Sequence, residues 1–271
     1  MLFKNVMTAL RRPSLAIEYL SYLRQQFVSR QGVVRRFPGG IEIGSLVNFS
    51  EYHSCARFLS DEELKFFRSF AFGEGDFLDV GANVGVLTLY WAKLFPDRRI
   101  FAFEPSPTTF AALVANVARN GATNVVPLET AVSDKDGRIA FDGDPVARGT
   151  AAIAGGASAK SFLVATAKLD SLSEQYQIKK IALLKVDVEG FETLVFAGAQ
   201  AVFQSVRPRV VYFEVCPELT TLRGFDPVGP AKYLVEAKYE LFRISDGGQL
   251  ISVDYKSVAN IRYANLVAIA S

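Results

Sequence analysis

Cysteine and histidine are nearly missing from this chain of 271 residues, which carries only Cys55, Cys216 and the single histidine His53. Two cysteines so far apart make neither a disulfide framework nor a metal-type spacing, which fits a reducing, cytoplasmic setting. An excess of one charge is missing too: 30 Lys and Arg stand against 28 Asp and Glu, for a net charge of +2. That balance, with no basic stripe interleaved with aromatics, argues against a nucleic-acid partner. No apolar run approaches membrane-spanning length. The first residues lack the uninterrupted apolar stretch and small-residue cleavage site of a secretory signal, so none is expected. What the chain does have is hydrophobic residues, half of the composition, enough to bury a full core as one domain with an N-terminal extension.

The most informative stretch is 77–91, F-L-D-V-G-A-N-V-G-V-L-T-L-Y-W. Phe77, Leu78 and Val80 form a short apolar run broken only by Asp79, as in a strand buried on both faces. Gly81, Asn83 and Gly85 punctuate a tight turn, after which Leu87, Tyr90, Trp91 and Leu94 follow at helical spacing until Pro96. Strand, glycine loop and helix in that order open an α/β nucleotide-binding unit. A dinucleotide fingerprint needs G-x-G-x-x-G, and the residues from Gly81 read G-A-N-V-G-V, so that pattern fails.

The loop instead resembles the D-x-G-x-x-x-G turn of S-adenosylmethionine-dependent methyltransferases. On that likeness Asp79 pairs with the cofactor's ammonium. N–H groups of the loop residues Gly81, Ala82, Asn83 and Gly85 meet its carboxylate, and Thr88 sits in the first turn beyond. Residues 100–104, I-F-A-F-E, make a second buried strand that ends in Glu104, roughly two dozen residues after Asp79 and at the βαβ distance for a group that binds a ribose. Pro105, Ser106 and Pro107 then open a helix with Ser106 as its cap, closed by Asn120-Gly121. Val125–Leu128 is a third strand, and Val132 and Ser133 follow it at the edge where an adenine ring would lie.

Residues 136–141 read as a turn into a strand that pairs with 162–165. Between them, 142–160 is rich in Gly and Ala and nearly free of large apolar residues, so it is expected to be a mobile lid or hairpin tip. Ile181–Val186, I-A-L-L-K-V, is a strand that delivers Asp187, with Glu189 just beyond. One helix is expected to follow, burying Phe191, Leu194, Val195, Ala199, Val202 and Phe203. Ligands in open α/β sheets sit beyond the carboxyl ends of the strands, which places Asp187 at the site. Val210–Val215 sends Glu214 to the same edge. Tyr239–Ile244 and 266–270 complete the sheet, the last strand antiparallel because the turn at Asp246-Gly247-Gly248 precedes it.

Ahead of the core, Ala16, Leu20, Leu23 and Phe27 fall on one helical face, with Arg11, Arg12, Arg24 and Arg30 flanking it. Such a helix packs on its own domain or on a second subunit, and a membrane surface is the other reading. Residues 33–37 and 41–47 bracket Pro38-Gly39-Gly40 as a hairpin, and Ser60-Asp61-Glu62-Glu63 is a capping box.

Taken together, D-V-G-A-N-V-G (79–85), F-E-P-S-P (103–107), A-V-S-D-K-D-G (131–137), L-D-S-L (169–172), L-K-V-D-V-E-G-F-E (184–192), E-V-C-P (214–217) and N-L-V-A-I-A (265–270) resemble the FkbM-type family of S-adenosylmethionine-dependent methyltransferases. One departure is A-T-A-K before L-D-S-L, in place of a T-V-T-type run, and residues before Leu59 match nothing in the family pattern. The resemblance implies a Rossmann-like α/β fold with a seven-stranded, mostly parallel sheet and one antiparallel strand. This methyltransferase domain spans 59–271, and 1–58 is an extension of amphipathic helix and hairpin. It also implies O-methylation of a hydroxyl on a sugar, glycolipid or natural product, with S-adenosyl-L-homocysteine as product.

The chemistry asks for an oxygen nucleophile held in line with the methyl group and for help in removing its proton. Asp187, Glu214 and His53 are the expected catalytic groups, with Glu189 as either a further base or a helix cap. A divalent cation shared by two carboxylates is the less favoured alternative, because such an ion wants about six oxygen ligands, and no metal ligand is assigned. Other readings are an oxidoreductase using NAD or a nucleotide sugar, disfavoured by the broken glycine fingerprint, and a non-catalytic methyltransferase-like partner of a glycosyltransferase.

Overall fold

The structure, a computed structural model, describes residues 13–28, 33–46, 48–55, 59–142, 152–153 and 161–271. It opens with helix α1 (Pro13–Val28), the antiparallel hairpin of β1 (Arg35–Phe37) and β2 (Ile41–Ile43), and the short helix α2 (Phe49–Ser54). The face of α1 that packs is not the expected one. Tyr22 is buried with Tyr19 and Leu23 beside it, while Leu20 and Phe27 are 65% and 85% exposed. Aromatic geometry explains the rotation: Tyr19, Tyr22, Phe49 and Tyr52 meet at ring-centre distances of 4.8–6.4 Å, and such pairs gain beyond the area they bury. Asn116 and Asn120 reach across to the backbone of Glu42 and Gly44, satisfying the outer edge of the hairpin.

Helix α3 (Asp61–Ser69) begins with the expected capping box, Ser60 and Glu63 each accepting the other's backbone N–H. Then come β3 (Asp76–Val80), α4 (Val86–Leu94), β4 (Ile100–Phe103), α5 (Pro107–Arg119) and β5 (Val125–Leu128). Ser106 holds the N-cap position of α5, but its hydroxyl bonds to Thr108 and Thr109 rather than to the helix backbone.

A second sheet follows, built from β6 (Ala131–Val132), β7 (Gly137–Asp142), β8 (Ala152–Ile153) and β9 (Ser161–Ala167) in the order β6-β9-β7-β8. The pairing expected between 136–141 and 162–165 is present as the antiparallel β7–β9 ladder. Of the expected lid, Ala152–Ile153 pairs with the end of β7; residues 143–151 and 154–160 lie outside the described residues.

The chain returns to the main sheet through α6 (Leu169–Gln175), β10 (Ile181–Val186) and α7 (Glu192–Ala197). The single helix expected after β10 is broken. A Cβ on Gly198 would stand 1.9 Å from the Ser133 carbonyl oxygen, so backbones touch there, and the chain continues through a π-helical turn at Val202–Val206. Next are β11 (Val210–Val215), α8 (Pro217–Leu222), α9 (Gly229–Glu236), β12 (Tyr239–Ile244), β13 (Leu250–Ser252) and β14 (Ala264–Ala270).

The main sheet runs β13-β12-β14-β11-β10-β3-β4-β5. Strands β5, β4, β3, β10 and β11 are parallel, and β14 lies antiparallel between β11 and β12. This is the expected seven-stranded arrangement with one reversed strand, plus an added edge. The turn at Asp246-Gly247-Gly248 leads into that edge strand, β13, and not into β14. Side chains alternate between two apolar cores, one on each face. Phe77, Ile100, Leu183 and Tyr212 join α3, α4 and the N-terminal elements on one face. Leu78, Phe101, Leu184 and Phe213 pack under α6, α7 and α9 on the other. Among the described residues no helix is long and apolar enough to cross a membrane.

Candidate active site

The parallel strands β3, β4 and β10 end at one edge, and the loops leaving them enclose a cavity with about 1010 Å³ of empty space, part of it continuous with solvent. Following the sheet across, Thr130 and Val132 line it beyond β5, Glu104 to Ser106 beyond β4, 81–84 beyond β3, and Asp187 to Glu189 beyond β10. Phe141 reaches in from the second sheet and Phe191 from the start of α7.

The floor is an ion pair that the alternation of the strands dictates. Lys185 and Asp79 are register partners on neighbouring parallel strands, so both point to the same face. Lys185 is 4% exposed, and its Nζ lies 3.1 Å from Asp79, 3.5 Å from Asp187 and 2.7 Å from the Gly81 carbonyl oxygen. Burial works against the ammonium charge, but the fields of Asp79 and Asp187 outweigh it and hold the lysine charged above its ordinary range. The other oxygen of Asp79 accepts a 2.5 Å hydrogen bond from Thr88, itself fully buried on α4. The Asp79 carboxylate thus sits at the cavity floor between Thr88 and Lys185, and among the described residues its Oδ1 accepts no hydrogen bond.

The loop above it is self-contained. Gly81 and Ala82 N–H groups donate to the Phe103 carbonyl, Asn83 donates to Glu104, Val84 to the Asn83 side chain and Gly85 to Ala82. These donors are all engaged within the protein. Helix starts leave their first N–H groups without acceptors. Among the described residues, the start of helix α4 at Gly85 has no side-chain cap, and its Val86 and Leu87 line the cavity. Gly81 has no substitute: it sits at φ +81°, and a Cβ would come 1.9 Å from the Asp187 carbonyl oxygen.

Glu104 is buried at the end of β4, and each carboxylate oxygen accepts one backbone N–H, from Asn83 at 3.0 Å and Ser106 at 2.9 Å. Each oxygen retains acceptor capacity, so a pair of vicinal hydroxyls in the cavity suits it. Burial pushes its carboxyl up to about 7, against the lowering effect of the two N–H bonds. Beyond β10, Glu189 takes up a left-handed φ of 57°, ahead of Gly190. The buried Glu192 folds back to accept the N–H groups of Val188 and Gly190 and closes that turn. Glu192, not Glu189, is thus the residue that braces the helix start, and burial raises it to about 7. Glu214 is 7% exposed, and its buried Oε2 has no hydrogen-bond partner among the described residues. Burial first, then the nearby Asp187, Glu189 and Glu192, push it up to about 9.

Of the residues expected from sequence, Asp79, Gly81, Ala82, Asn83, Glu104, Pro105, Ser106, Val132 and Asp187 line the cavity. Thr88, Gly85 and Ser133 lie behind it: Thr88 holds Asp79, Gly85 starts α4 against Leu113, and Ser133 bonds to Asp134 and Ala167. Glu214 adjoins the acidic end without lining the cavity. His53 is a correction. Its Nδ1 sits 2.7 Å from Glu18 and its ring stacks on Phe49 in the N-terminal aromatic cluster, so it does not face the cavity. Lys185 was missed, although a lysine inside the apolar run I-A-L-L-K-V signals a buried, paired charge. Phe141 and Thr130 left no comparable signal.

This strand order and this edge define a Rossmann-like methyltransferase fold. Methyltransferase FkbM from Methylobacillus flagellatus, a solved structure, superposes with a TM-score of 0.50 at 13% identity, covering 82% of this chain and 54% of that one. Residues 79–241 match the Methyltransferase FkbM domain, and the chain belongs to that family. Among curated relatives, the Hexuronic acid methyltransferase AglP of Haloferax volcanii is 35% identical over 161 residues, 59% of this chain and 61% of that one. The 31-O-demethyl-FK506 methyltransferase FkbM of Streptomyces tacrolimicus is 32% identical over 152 residues, 45% of this chain and 58% of that one. The chain thus spans about three fifths of the length of these two relatives.

Proposed function

We propose that this chain is an S-adenosylmethionine-dependent O-methyltransferase whose acceptor is a hydroxyl of a sugar, glycolipid or natural product. The observation that carries the cofactor reading is Glu104: a buried carboxylate at the end of the second core strand, with acceptor capacity left on both oxygens and facing the same cavity as the glycine loop. It suits the two ribose hydroxyls, the uncapped start of α4 suits the carboxylate of the methionine half, and Thr130 and Val132 flank the adenine end. The sugar and natural-product acceptors named for AglP and FkbM relatives support the acceptor class, and unpaired Cys55 and Cys216 fit a cytoplasmic setting.

When bound, the cofactor supplies an electrophilic methyl group on a sulfonium. The protein's part is then position and proton removal. Asp187 lines the cavity at the end of β10 and is held by Lys185 on its inner side, which leaves its carboxylate to orient an acceptor hydroxyl and take its proton. Phe141 and Phe191 wall the cavity with apolar surface that excludes water. The experiment is a thermal-shift panel followed by turnover. S-adenosylmethionine and S-adenosylhomocysteine should raise the melting temperature, and NAD and nucleotide sugars should leave it unchanged. Asp187→Asn should cut turnover on a hexose or hexuronoside acceptor by ~100-fold or more at saturating cofactor, with S-adenosylhomocysteine binding retained. A shift with NAD alone would discard the reading.

A further inference from the structure

Charge is distributed unevenly along the cavity. With a ribose on Glu104 and an adenine towards Val132, the sheet order leaves the Asp187 end for the sulfur and the methionine half. Asp187 and Glu189 line that end, and the carboxyl of Glu214 adjoins them with one buried oxygen that has no hydrogen-bond partner among the described residues. Among the described residues, two cations face the group. Lys185 is already shared with Asp79, and Arg223 lies over the Phe191 ring, 5.1 Å from its centre, with its Nε donating to the Glu189 carbonyl at 3.5 Å. Carboxyls outnumber cations among the described residues, and the imbalance is half-buried, where charge interactions are screened less than at the open surface.

The methyl donor and its product share the adenosine, the ammonium and the carboxylate. They differ by a methyl group and by the positive charge on sulfur. Resting on the reading of this cavity as an S-adenosylmethionine site, we propose that its Asp187 end is an anionic well that binds the sulfonium donor in preference to the uncharged thioether product. Asp187 and Glu189, with the buried carboxyl of Glu214 adjoining them, are the groups that sense the charge. Such a site favours donor over product and so relieves product inhibition.

The electrostatics supply a second signature. Glu214 faces Asp187, Glu189 and Glu192, with Lys185 opposing them and Tyr263 near by, and the balance holds its carboxyl up at about 9. An arriving cation stabilises its ionised form. Donor binding therefore releases a proton, and product binding does not.

The test is calorimetric titration of the wild-type chain with S-adenosylmethionine and with S-adenosylhomocysteine, each in two buffers of different protonation enthalpy. The donor is expected to bind on the order of tenfold more tightly than the product, as for a unit charge beside a partly buried net negative site. Net proton release should accompany the donor alone. Asp187→Asn should weaken the donor and leave the product within about twofold, whereas a merely structural lesion weakens both alike. Product binding as tight as the donor's, or equal weakening of the two by Asp187→Asn, would overturn the proposal while leaving the cofactor reading intact. Binding of neither ligand would remove the cofactor reading and this inference with it.

Discussion

Lys185 shows how one side chain ties the site to the fold. A lysine in a central strand is tolerable only when paired, and here two carboxylates and a carbonyl oxygen surround its ammonium. Removing it strands Asp79 in the core at 1% exposure. Lys185→Met should therefore cost about 3–5 kcal/mol in urea unfolding, and adding Asp79→Asn should recover much of that loss. A cost under about 1 kcal/mol for the single change would show that the pair is not held as described. Residue types at this site were legible because acids at strand ends and glycines in the loop carry their chemistry in the sequence. Partners were not. That Lys185 pairs with Asp79 depends on which strands lie side by side, and β3 and β10 are far apart in the chain. His53 fell to the same limit: its neighbour Glu18 comes from a helix whose packing face the periodicity misplaced.

Among the elements, the loop between β3 and α4 works by shape. Its N–H groups hold it together, and Gly81 brings it into backbone contact with the end of β10. Gly81→Ala should lower the melting temperature sharply and abolish cofactor binding, since both the positive φ and the Asp187 carbonyl oppose a Cβ. Gly121→Ala is the control. Gly121 also has a positive φ, but a Cβ there meets nothing within 4 Å, so the cost should stay near ~1 kcal/mol with binding unchanged. An equal effect of the two changes would refute the role given to close approach. The core strands β3, β4, β5, β10 and β11 were readable as short apolar runs with turn residues between them. The break after α7 and the added strand β13 were not, because each depends on a long-range meeting, Gly198 with Ser133 and β13 with β12.

At the scale of the whole molecule, the buried acids make stability depend on pH. Glu104 and Glu192 are raised to about 7 and Glu214 to about 9. An acid whose folded-state pKa is raised contributes stability that is fully present below its unfolded value and is lost as pH rises through the folded value. The contribution of Glu214 should thus disappear as pH rises from about 4.5 through about 9. The advantage of Glu214→Gln over the wild type in melting temperature should widen between pH about 6 and about 10; a constant gap would contradict the burial and the repulsion assigned to it. The central claim is that the cavity at the carboxyl edge of the sheet is an S-adenosylmethionine site anchored by Glu104. The most direct measurement is calorimetric titration of S-adenosylmethionine into the wild-type chain and into Glu104→Ala. The account predicts saturable one-to-one binding that the substitution weakens by roughly 1.5–3 kcal/mol through lost hydrogen bonds to a charged acceptor. Equal affinity in the two proteins, or no binding by the wild type, would contradict it.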